Sequence, residues 1–186
     1  LTMKRILTIL SILLIAGGTV YAQDTMAQDA NKWANEWKYA FSPEGRKSWK
    51  TEHTLRLRAG FFTEGVMFTS GIRLDEKRTL GLFAGLEDVW DDATPANIHS
   101  ARLGVTFRRY WHLGDRKIFS FYSDLYAGAG YIYKVTSTET YSDKGDVLFV
   151  GGWQPGIRVR CYKNLHLFLG PTIATDCLGL HLGIGF

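Results

Sequence analysis

The sequence predicts an all-β fold, an eight-stranded antiparallel up-and-down β-barrel over residues 49–186. Three observations lead to this prediction. Apolar residues occupy every second position in eight successive segments, which is the period of a β-strand with one apolar face. The chain holds 20 glycines and only 4 prolines, and 14% of its residues are aromatic, a composition typical of β-barrels. Turn-forming segments separate the alternating ones.

The first 22 residues have the pattern of a secretory signal peptide. Lys4 and Arg5 precede an apolar run over residues 6–16, and short side chains lead up to Ala22. We expect cleavage after Ala22, because the apolar run is too short to cross a bilayer as a helix. A retained membrane anchor is the alternative.

Residues 23–48 are predicted to form an N-terminal periplasmic segment outside the barrel. Trp33, Trp37 and Phe41 recur at helical spacing, with polar residues between them. This spacing favours a short amphipathic helix with tryptophans suited to a membrane interface. A tail that becomes ordered only locally is the alternative.

The net charge and the two cysteines exclude several classes of function. The formal charge is +4, and loss of Lys4 and Arg5 with the leader would remove two of these charges. A net charge this small does not indicate a nucleic-acid partner. Cys161 and Cys177 are predicted near opposite rims, beyond bridging distance, and we expect two free thiols, buried or lipid-facing. No metal site and no cofactor are predicted.

Each of the eight segments sets a nearly pure apolar face against a face of glycine and charged residues. The last segment shows it best, with Leu178, Leu180 and Leu182 on one face and Gly179 and His181 on the other. The predicted strands, in order, cover residues 55–61, 66–74, 80–87, 101–111, 119–131, 149–160, 165–173 and 178–186.

The lengths of the links predict the orientation of the barrel. Tight turns are expected at 75–78, 113–116 and 162–164, and longer polar links at 88–98 and 134–146. The long links share one rim, which is typical of the outer side of outer-membrane barrels, whose periplasmic turns are short. An even strand number brings both ends of the barrel to the periplasmic side.

The placement of glycine and aromatic residues indicates which face meets lipid. Glycines accumulate on the charged face, where long side chains need room inside a narrow lumen; on a water-facing surface they would only weaken the strands. Two aromatic girdles are predicted, Trp111 and Phe186 at the periplasmic end and Tyr131, Tyr133 and Phe149 toward the outer end. We therefore predict a transmembrane barrel. A soluble lipocalin-like ligand-binding barrel is the alternative.

The closing segment 178–186, alternating and ending in Phe186, is similar to the last strand of bacterial outer-membrane proteins. Residues 49–186 resemble the small OmpA/OmpX-type barrels, particularly Bacteroidetes outer-membrane barrels of uncharacterised function. The resemblance implies a Gram-negative cell envelope, insertion by the barrel-assembly machinery, and contact with outer-membrane lipid and lipopolysaccharide.

The inward face is predicted to hold a surplus of arginine. We expect a plug of ion pairs and Arg–Tyr hydrogen bonds, because charges in a narrow lumen need partners. An anion-attracting lumen or a phosphate-binding periplasmic rim is the alternative. The predicted network comprises Arg56, Arg58, Arg73, Glu87, Arg102, Arg108, Asp124, Arg158 and Arg160.

The predicted function is a non-enzymatic outer-membrane barrel with a structural or surface-interaction role. A lipid A deacylase or acyltransferase would need a His/Ser constellation, and His166 and His181 are predicted out of register with Ser120 and Ser123. No catalytic residues are therefore predicted. Lipid A modification stays the enzymatic alternative. The two longer links are the candidates for recognition of an extracellular partner, whose identity the sequence does not indicate.

Overall fold

The computed structural model divides the chain after Arg46 into two units. The signal-peptide prediction lies outside the described residues. In the first unit, helix α1 spans Thr25–Ala40 and a short helix α2 spans Pro43–Arg46. The ring of Trp37 stacks on that of Phe41, with centroids 5.8 Å apart. The structure describes residues 25–91, 96–115, 117–137, 145–175 and 177–186.

The second unit is a closed barrel of eight antiparallel strands in sequence order. The last strand pairs with the first, with Leu57 opposite Leu182 and Gly60 opposite Gly179. The predicted fold class is thereby confirmed. The strands are β1 Lys50–Gly60, β2 Thr63–Arg73, β3 Arg78–Asp91, β4 Ala96–Leu113, β5 Phe119–Ser137, β6 Val147–Tyr162, β7 Leu165–Ala174 and β8 Leu178–Gly185.

The two-residue period decides which side chains enter the lumen. Along β1, Thr54, Arg56 and Arg58 are buried, and the intervening Leu55 and Leu57 are exposed on the outer surface. Because side chains alternate in a strand, a slip of one residue would exchange these two sets. The register of the whole barrel is therefore specified by the contrast between its faces.

Glycine pairs let neighbouring strands and bulky lumen side chains approach closely. Gly104 lies opposite Gly128 in the β4–β5 pair. A Cβ atom at Gly104 would come within 2.2 Å of the Ala127 carbonyl oxygen and 2.6 Å of the Phe83 ring. A larger residue at Gly104 would therefore force the strand or the ring to move.

The two rims of the barrel are distinguished by the links that they carry between strands. We call the rim with the β2–β3, β4–β5 and β6–β7 links the turn end, and the opposite rim the loop end. Gly114 and Lys163 in the turn-end links have positive φ angles of 68° and 35°. The β5–β6 link at the loop end is the longest, at residues 138–146.

The predicted long link over 88–98 is wrong. Strands β3 and β4 continue to pair as far as Asp91 opposite Ala96, so only 92–95 connect them. Trp90, expected in a recognition loop, belongs to β3 and lies opposite Asn97. The polar composition of this stretch indicated a loop, but strands that project beyond an apolar band can be polar on both faces.

Apolar side chains in the lumen form two layers. Met67, Phe83, Tyr126 and Val150 pack together toward the loop end. Nearer the turn end, a second layer consists of Tyr110, Tyr122 and Phe168. The charged side chains lie between and beside these layers, within reach of the rings.

The two cysteines lie at opposite rims. Cys161 is exposed near the turn end of β6, and Cys177 is buried in the β7–β8 link at the loop end. Both are free thiols, as the sequence predicts. Among the described residues, no helix has the length and apolar content needed to cross a membrane.

Candidate functional site

The centre of the lumen is built around the carboxylate of Asp124, which is fully buried. Arg108 donates to its Oδ2 from Nε at 3.0 Å and from Nη2 at 2.7 Å. Nη1 of Arg56 lies 2.8 Å from the same oxygen. Thr106 donates its hydroxyl to Oδ1. Two guanidinium groups from β1 and β4 thus share one carboxylate from β5, which closes the lumen across its width.

A second buried carboxylate, Glu52, was missed by sequence reasoning. Its Oε1 accepts from Nη1 of Arg108 at 2.5 Å and from the Tyr110 hydroxyl. Its Oε2 accepts from Nε of Arg73 at 3.1 Å. The signal was present, because Glu52 has the same parity as Thr54. It stands ahead of the apolar run that marks the predicted start of β1.

Glu87 holds a third group of charges toward the loop end. Its Oε2 lies 2.8 Å from Nη1 of Arg58 and 3.1 Å from Nη1 of Arg102. The Arg58 guanidinium also lies 5.5 Å from the centre of the Tyr126 ring, within range of a cation–π contact. Carboxylates therefore lie at three depths in the lumen, and each neutralises the arginines nearest to it.

Neutral polar and aromatic groups connect these ion pairs. The hydroxyl of Tyr122 contacts Nε2 of His181, whose Nδ1 lies 3.0 Å from the hydroxyl of Thr172. Gln154 accepts from Arg56 at 2.6 Å and donates to Thr172 at 3.3 Å. All five side chains are buried. The lumen at this depth is a bonded layer of side chains rather than an open channel.

Two predicted network residues, Arg158 and Arg160, lie in β6 toward the turn end. Arg158 is only 4% exposed, and its guanidinium lies 4.2 Å from the centre of the Tyr110 ring. Arg160 is exposed near the turn end, where it lines a cavity. The β6–β7 pairing shifts register between Arg160 and Tyr162, which ends the regular lumen pattern at this point.

The five predicted girdle residues all lie on the outer surface. Trp111 and Phe186 are exposed at the turn end, and Tyr131, Tyr133 and Phe149 are exposed toward the loop end. Trp111 also lies under the guanidinium of Arg109, 5.2 Å from its ring centre. This arrangement gives the outer surface an aromatic edge at each end of its aliphatic band.

The structure brings together one Ser/His pair that the sequence did not predict. His112 and Ser120 lie opposite each other in the β4–β5 pair, with Nδ1 to Oγ at 2.8 Å. The other ring nitrogen lies 2.8 Å from the backbone oxygen of Glu76. The contact depends on the register set by the β4–β5 turn. Ser120 is fully buried, so a bulky substrate does not reach its hydroxyl in this structure.

A polar cavity of 430 Å³ opens at the turn end and is lined mainly by basic residues. One of its two acidic residues, Glu76, contacts Lys117 at 2.5 Å. The hydrogen bond from the Lys117 ammonium lowers the pKa of the Glu76 carboxyl. The second acidic residue of the cavity, Asp75, forms an ion pair with Arg78 at 2.5 Å. Among the described residues, no group of three His, Cys or carboxylate side chains could hold a metal ion.

Comparisons with known proteins find similarity of structure only. No protein family and no curated protein match the sequence. The chain is similar to Neisserial surface protein A, with 10% identity, 74% of this chain and 92% of that one covered, and a TM-score of 0.47. It is also similar to the N-terminal β-barrel domain of Pseudomonas aeruginosa OprF, with 14% identity, 73% of this chain and 96% of that one covered, and a TM-score of 0.45. A third similar structure is Ail, the attachment invasion locus protein of Yersinia pestis, with 10% identity, 74% of this chain and 93% of that one covered, and a TM-score of 0.43. At such identities the similarity says nothing about activity.

Proposed function

We propose that this chain is a non-enzymatic integral outer-membrane β-barrel with a sealed lumen and a structural or surface-interaction role. One observation carries the proposal: the apolar side chains point outward and the charged side chains point inward. Leu57, Leu103 and Leu182 are 62%, 63% and 54% exposed, whereas Arg56 and Asp124 are fully buried. A soluble barrel has the opposite arrangement.

The size of the outward apolar surface supports a lipid environment. Large apolar side chains are exposed on all eight strands, and together they surround the barrel. Soluble monomers rarely expose contiguous apolar patches above a few hundred Å². In lipid the same surface is solvated, and the closed barrel leaves no strand edge with unpaired backbone groups. The soluble, lipocalin-like alternative would leave this surface in water.

The packing of the lumen supports a sealed barrel rather than a pore. An eight-stranded barrel has an interior just wide enough for side chains to fill. Arg108, Tyr110 and Phe168 are at most 2% exposed, and Arg56 contacts both Asp124 and Gln154 across the lumen. Ions crossing the barrel would have to break this layer.

Unequal strand lengths support a role at the surface. Strands β4 and β5 have 18 and 19 residues, whereas β7 and β8 have 10 and 8. A tilted strand of about 9–11 residues crosses the hydrocarbon layer. At the loop end, β5 continues past its last pair with β6, Tyr131 opposite Val147, and stays paired with β4 as far as Ser137 opposite Ala96. This paired extension would project beyond the membrane as a wall suited to contact with a partner.

The membrane placement and orientation can be tested with two matched insertions. Gly145 at the loop end and Gly114 at the turn end are both exposed and both have positive φ, and a Cβ added at either would meet no atom within 4 Å. An epitope inserted at Gly145 should be labelled by antibody on intact cells. One at Gly114 should be labelled only after the outer membrane is permeabilised. The reverse pattern would contradict the proposed orientation, and labelling of neither in a membrane fraction would contradict the placement.

The sealed lumen can be tested by conductance recording. Purified barrel reconstituted in a planar bilayer should give no stepwise conductance, with a general porin recorded under the same conditions as positive control. Insertion should be verified by the slower migration of heat-denatured barrel on a gel. Regular conductance steps from correctly inserted protein would contradict the sealed-lumen proposal.

A serine hydrolase is the second candidate, because His112 lies 2.8 Å from Ser120. Full burial of the Ser120 side chain argues against it, since a nucleophile must reach its substrate. A fluorophosphonate probe should therefore leave the folded barrel unlabelled. Labelling that is lost in both Ser120→Ala and His112→Ala would favour the hydrolase.

A further inference from the structure

The turn-end cavity contains a buried cation that the ion-pair network leaves without a carboxylate. Among the described residues, no carboxylate oxygen lies within 4.0 Å of the Arg158 guanidinium, although this residue is only 4% exposed. Its Nε and Nη1 atoms have no hydrogen-bond partner. Burial of an arginine without an anion is unfavourable, so such a group is a candidate ligand-binding residue.

Other groups in the same cavity add unmatched positive charge and a second free polar atom. Lys50 and Lys163 line the cavity, and neither forms an ion pair with a described carboxylate. His166 is 8% exposed, and its Nδ1 has no hydrogen-bond partner. These groups come from the first strand, the β6–β7 turn and the start of β7. Residues of β1 and of the β6–β7 hairpin therefore converge on one space.

The acidic residues of the cavity do not offset this charge. Asp75 is engaged by Arg78 and Glu76 by Lys117, each at 2.5 Å. Two further arginines line the cavity: Arg73 is engaged by Glu52, and Arg160 is exposed. Arg158 at the buried side of the cavity and Lys50 and Lys163 nearer the solvent therefore add positive charge that no described carboxylate pairs with.

We propose that the turn-end cavity is a binding site for a small phosphorylated solute, with Arg158 as the principal ligand of the phosphate group. A planar guanidinium donates two parallel hydrogen bonds to phosphate oxygens, and the Tyr110 ring stacked against it holds its plane. His166 provides a further polar contact. Lys50 and Lys163 raise the local concentration of anions at the mouth.

The size of the cavity favours a phosphomonoester over a bare phosphate ion. Its volume of 430 Å³ falls within the range of small-molecule pockets, roughly 300–1,000 Å³. Its position at the end of the lumen favours a water-soluble ligand. A phospholipid headgroup bears the same phosphate chemistry, so the experiment must separate the two sources. The site is independent of the proposed surface role, because it is formed by the barrel alone.

The test is titration calorimetry of the purified full-length barrel in detergent with glycerol 3-phosphate, inorganic phosphate and uncharged glycerol. Arg158→Gln removes the proposed ligand. Arg109→Gln is the matched control, since it makes the same change of charge near the turn end on an exposed side chain that does not line the cavity. Lys163→Gln, in an exposed turn, tests the mouth without disturbing the lumen.

We expect glycerol 3-phosphate to bind and glycerol not to bind. Arg158→Gln should weaken the affinity roughly tenfold or more, because it removes the charge-assisted hydrogen bonds to the phosphate. Lys163→Gln should weaken it less and reduce its dependence on salt, and Arg109→Gln should leave it unchanged. The heat-dependent gel shift of each variant reports that it is folded.

Three results would overturn the proposal. These are no binding by the wild-type barrel, equal losses in Arg158→Gln and Arg109→Gln, and full affinity in folded Arg158→Gln. In a separate arm, the barrel is mixed with vesicles of phosphatidylcholine with and without phosphatidylglycerol. Binding of the phosphatidylglycerol vesicles that depends on Arg158, with no response to soluble phosphates, would overturn the soluble ligand and assign the phosphate site to a lipid headgroup.

Discussion

Removal of the Asp124 carboxylate is the strongest perturbation of the lumen. In Asp124→Ala, the guanidinium of Arg108 loses contacts of 3.0 and 2.7 Å, and that of Arg56 loses one of 2.8 Å. Both arginines are at most 2% exposed, so water does not replace the lost oxygen without a rearrangement of the layer. The variant therefore leaves two buried positive charges with fewer partners.

The expected loss follows from the burial of this group. Breaking a buried ion pair by removing one partner typically costs about 3–5 kcal/mol. Arg108 keeps its contact with Glu52 at 2.5 Å, and Arg56 keeps Gln154 at 2.6 Å, so we expect the lower half of that range, about 3–4 kcal/mol. Asp124→Asn keeps one acceptor oxygen and should lose less.

The assay is urea unfolding of the barrel in lipid vesicles, followed by tryptophan fluorescence. The matched control is Glu76→Ala, which removes an exposed carboxylate paired with Lys117. Exposed pairs contribute about 0–1 kcal/mol, so this variant should unfold close to the wild type. A loss for Asp124→Ala no larger than that for Glu76→Ala would refute the ion-pair account of the lumen.

Further predictions concern the two faces and the close packing of the strands. Leu182→Arg, in the middle of the outer face of β8, should destabilise the vesicle-bound barrel by about 2–4 kcal/mol in the same urea titration, because the charge would lie deep in the bilayer. Leu113→Arg, at the turn end, should destabilise it by only about 0–1 kcal/mol. Equal losses of stability would contradict the lipid-facing assignment. Gly104→Ala should lower the free energy of unfolding by about 1–3 kcal/mol, because its Cβ would clash with the β5 backbone. Gly130→Ala should lower it less, because only side chains lie near its added Cβ, the nearest at 3.1 Å. A loss of stability for Gly130→Ala as large as that for Gly104→Ala would contradict the packing argument. Tyr122→Phe should lower stability by about 1–3 kcal/mol by leaving a buried histidine nitrogen unbonded; an unchanged unfolding midpoint would show that this hydrogen bond does not contribute.

The faces of the strands were predictable from the sequence, and their ends were not. Alternation between apolar and polar residues identifies all eight strands, because each strand separates two different environments. Strand β5 was predicted to end at Tyr131 but continues to Ser137. Residues 132–137 mix apolar side chains, such as Ile132 and Val135, with polar ones, such as Lys134, so the alternation disappears while the backbone pairing continues.

The partners within the lumen were only partly predictable. The alternation indicated that Asp124 and the arginines point inward, but the pairing of Arg56 with Asp124 depends on contacts across the lumen between β1 and β5. Sequence spacing carries no information about such contacts. The proximity of His112 to Ser120 likewise depends on the turn that fixes the β4–β5 register.

Glu52 determines where the unmatched positive charge of the lumen lies. Without Glu52, the inward residues indicate a general surplus of arginine in the lumen. With it, Arg73 and Arg108 are matched, and the unmatched charge is concentrated at the turn end around Arg158. Following the parity of β1 two residues further, from Thr54 to Glu52, would have identified Glu52 as an inward-facing carboxylate.

The central claim, that the apolar outer face contacts acyl chains, is tested most directly by spin-label accessibility. Cys161 and Cys177 are replaced by alanine, and single labels are placed at Leu103, Leu182 and, as the aqueous control, Glu76 in barrels reconstituted into vesicles. We expect the two outer-face labels to collide with oxygen and to be shielded from a water-soluble nickel chelate, and the label at Glu76 to show the reverse. Ready access of the nickel chelate to the labels at Leu103 and Leu182 would contradict the account.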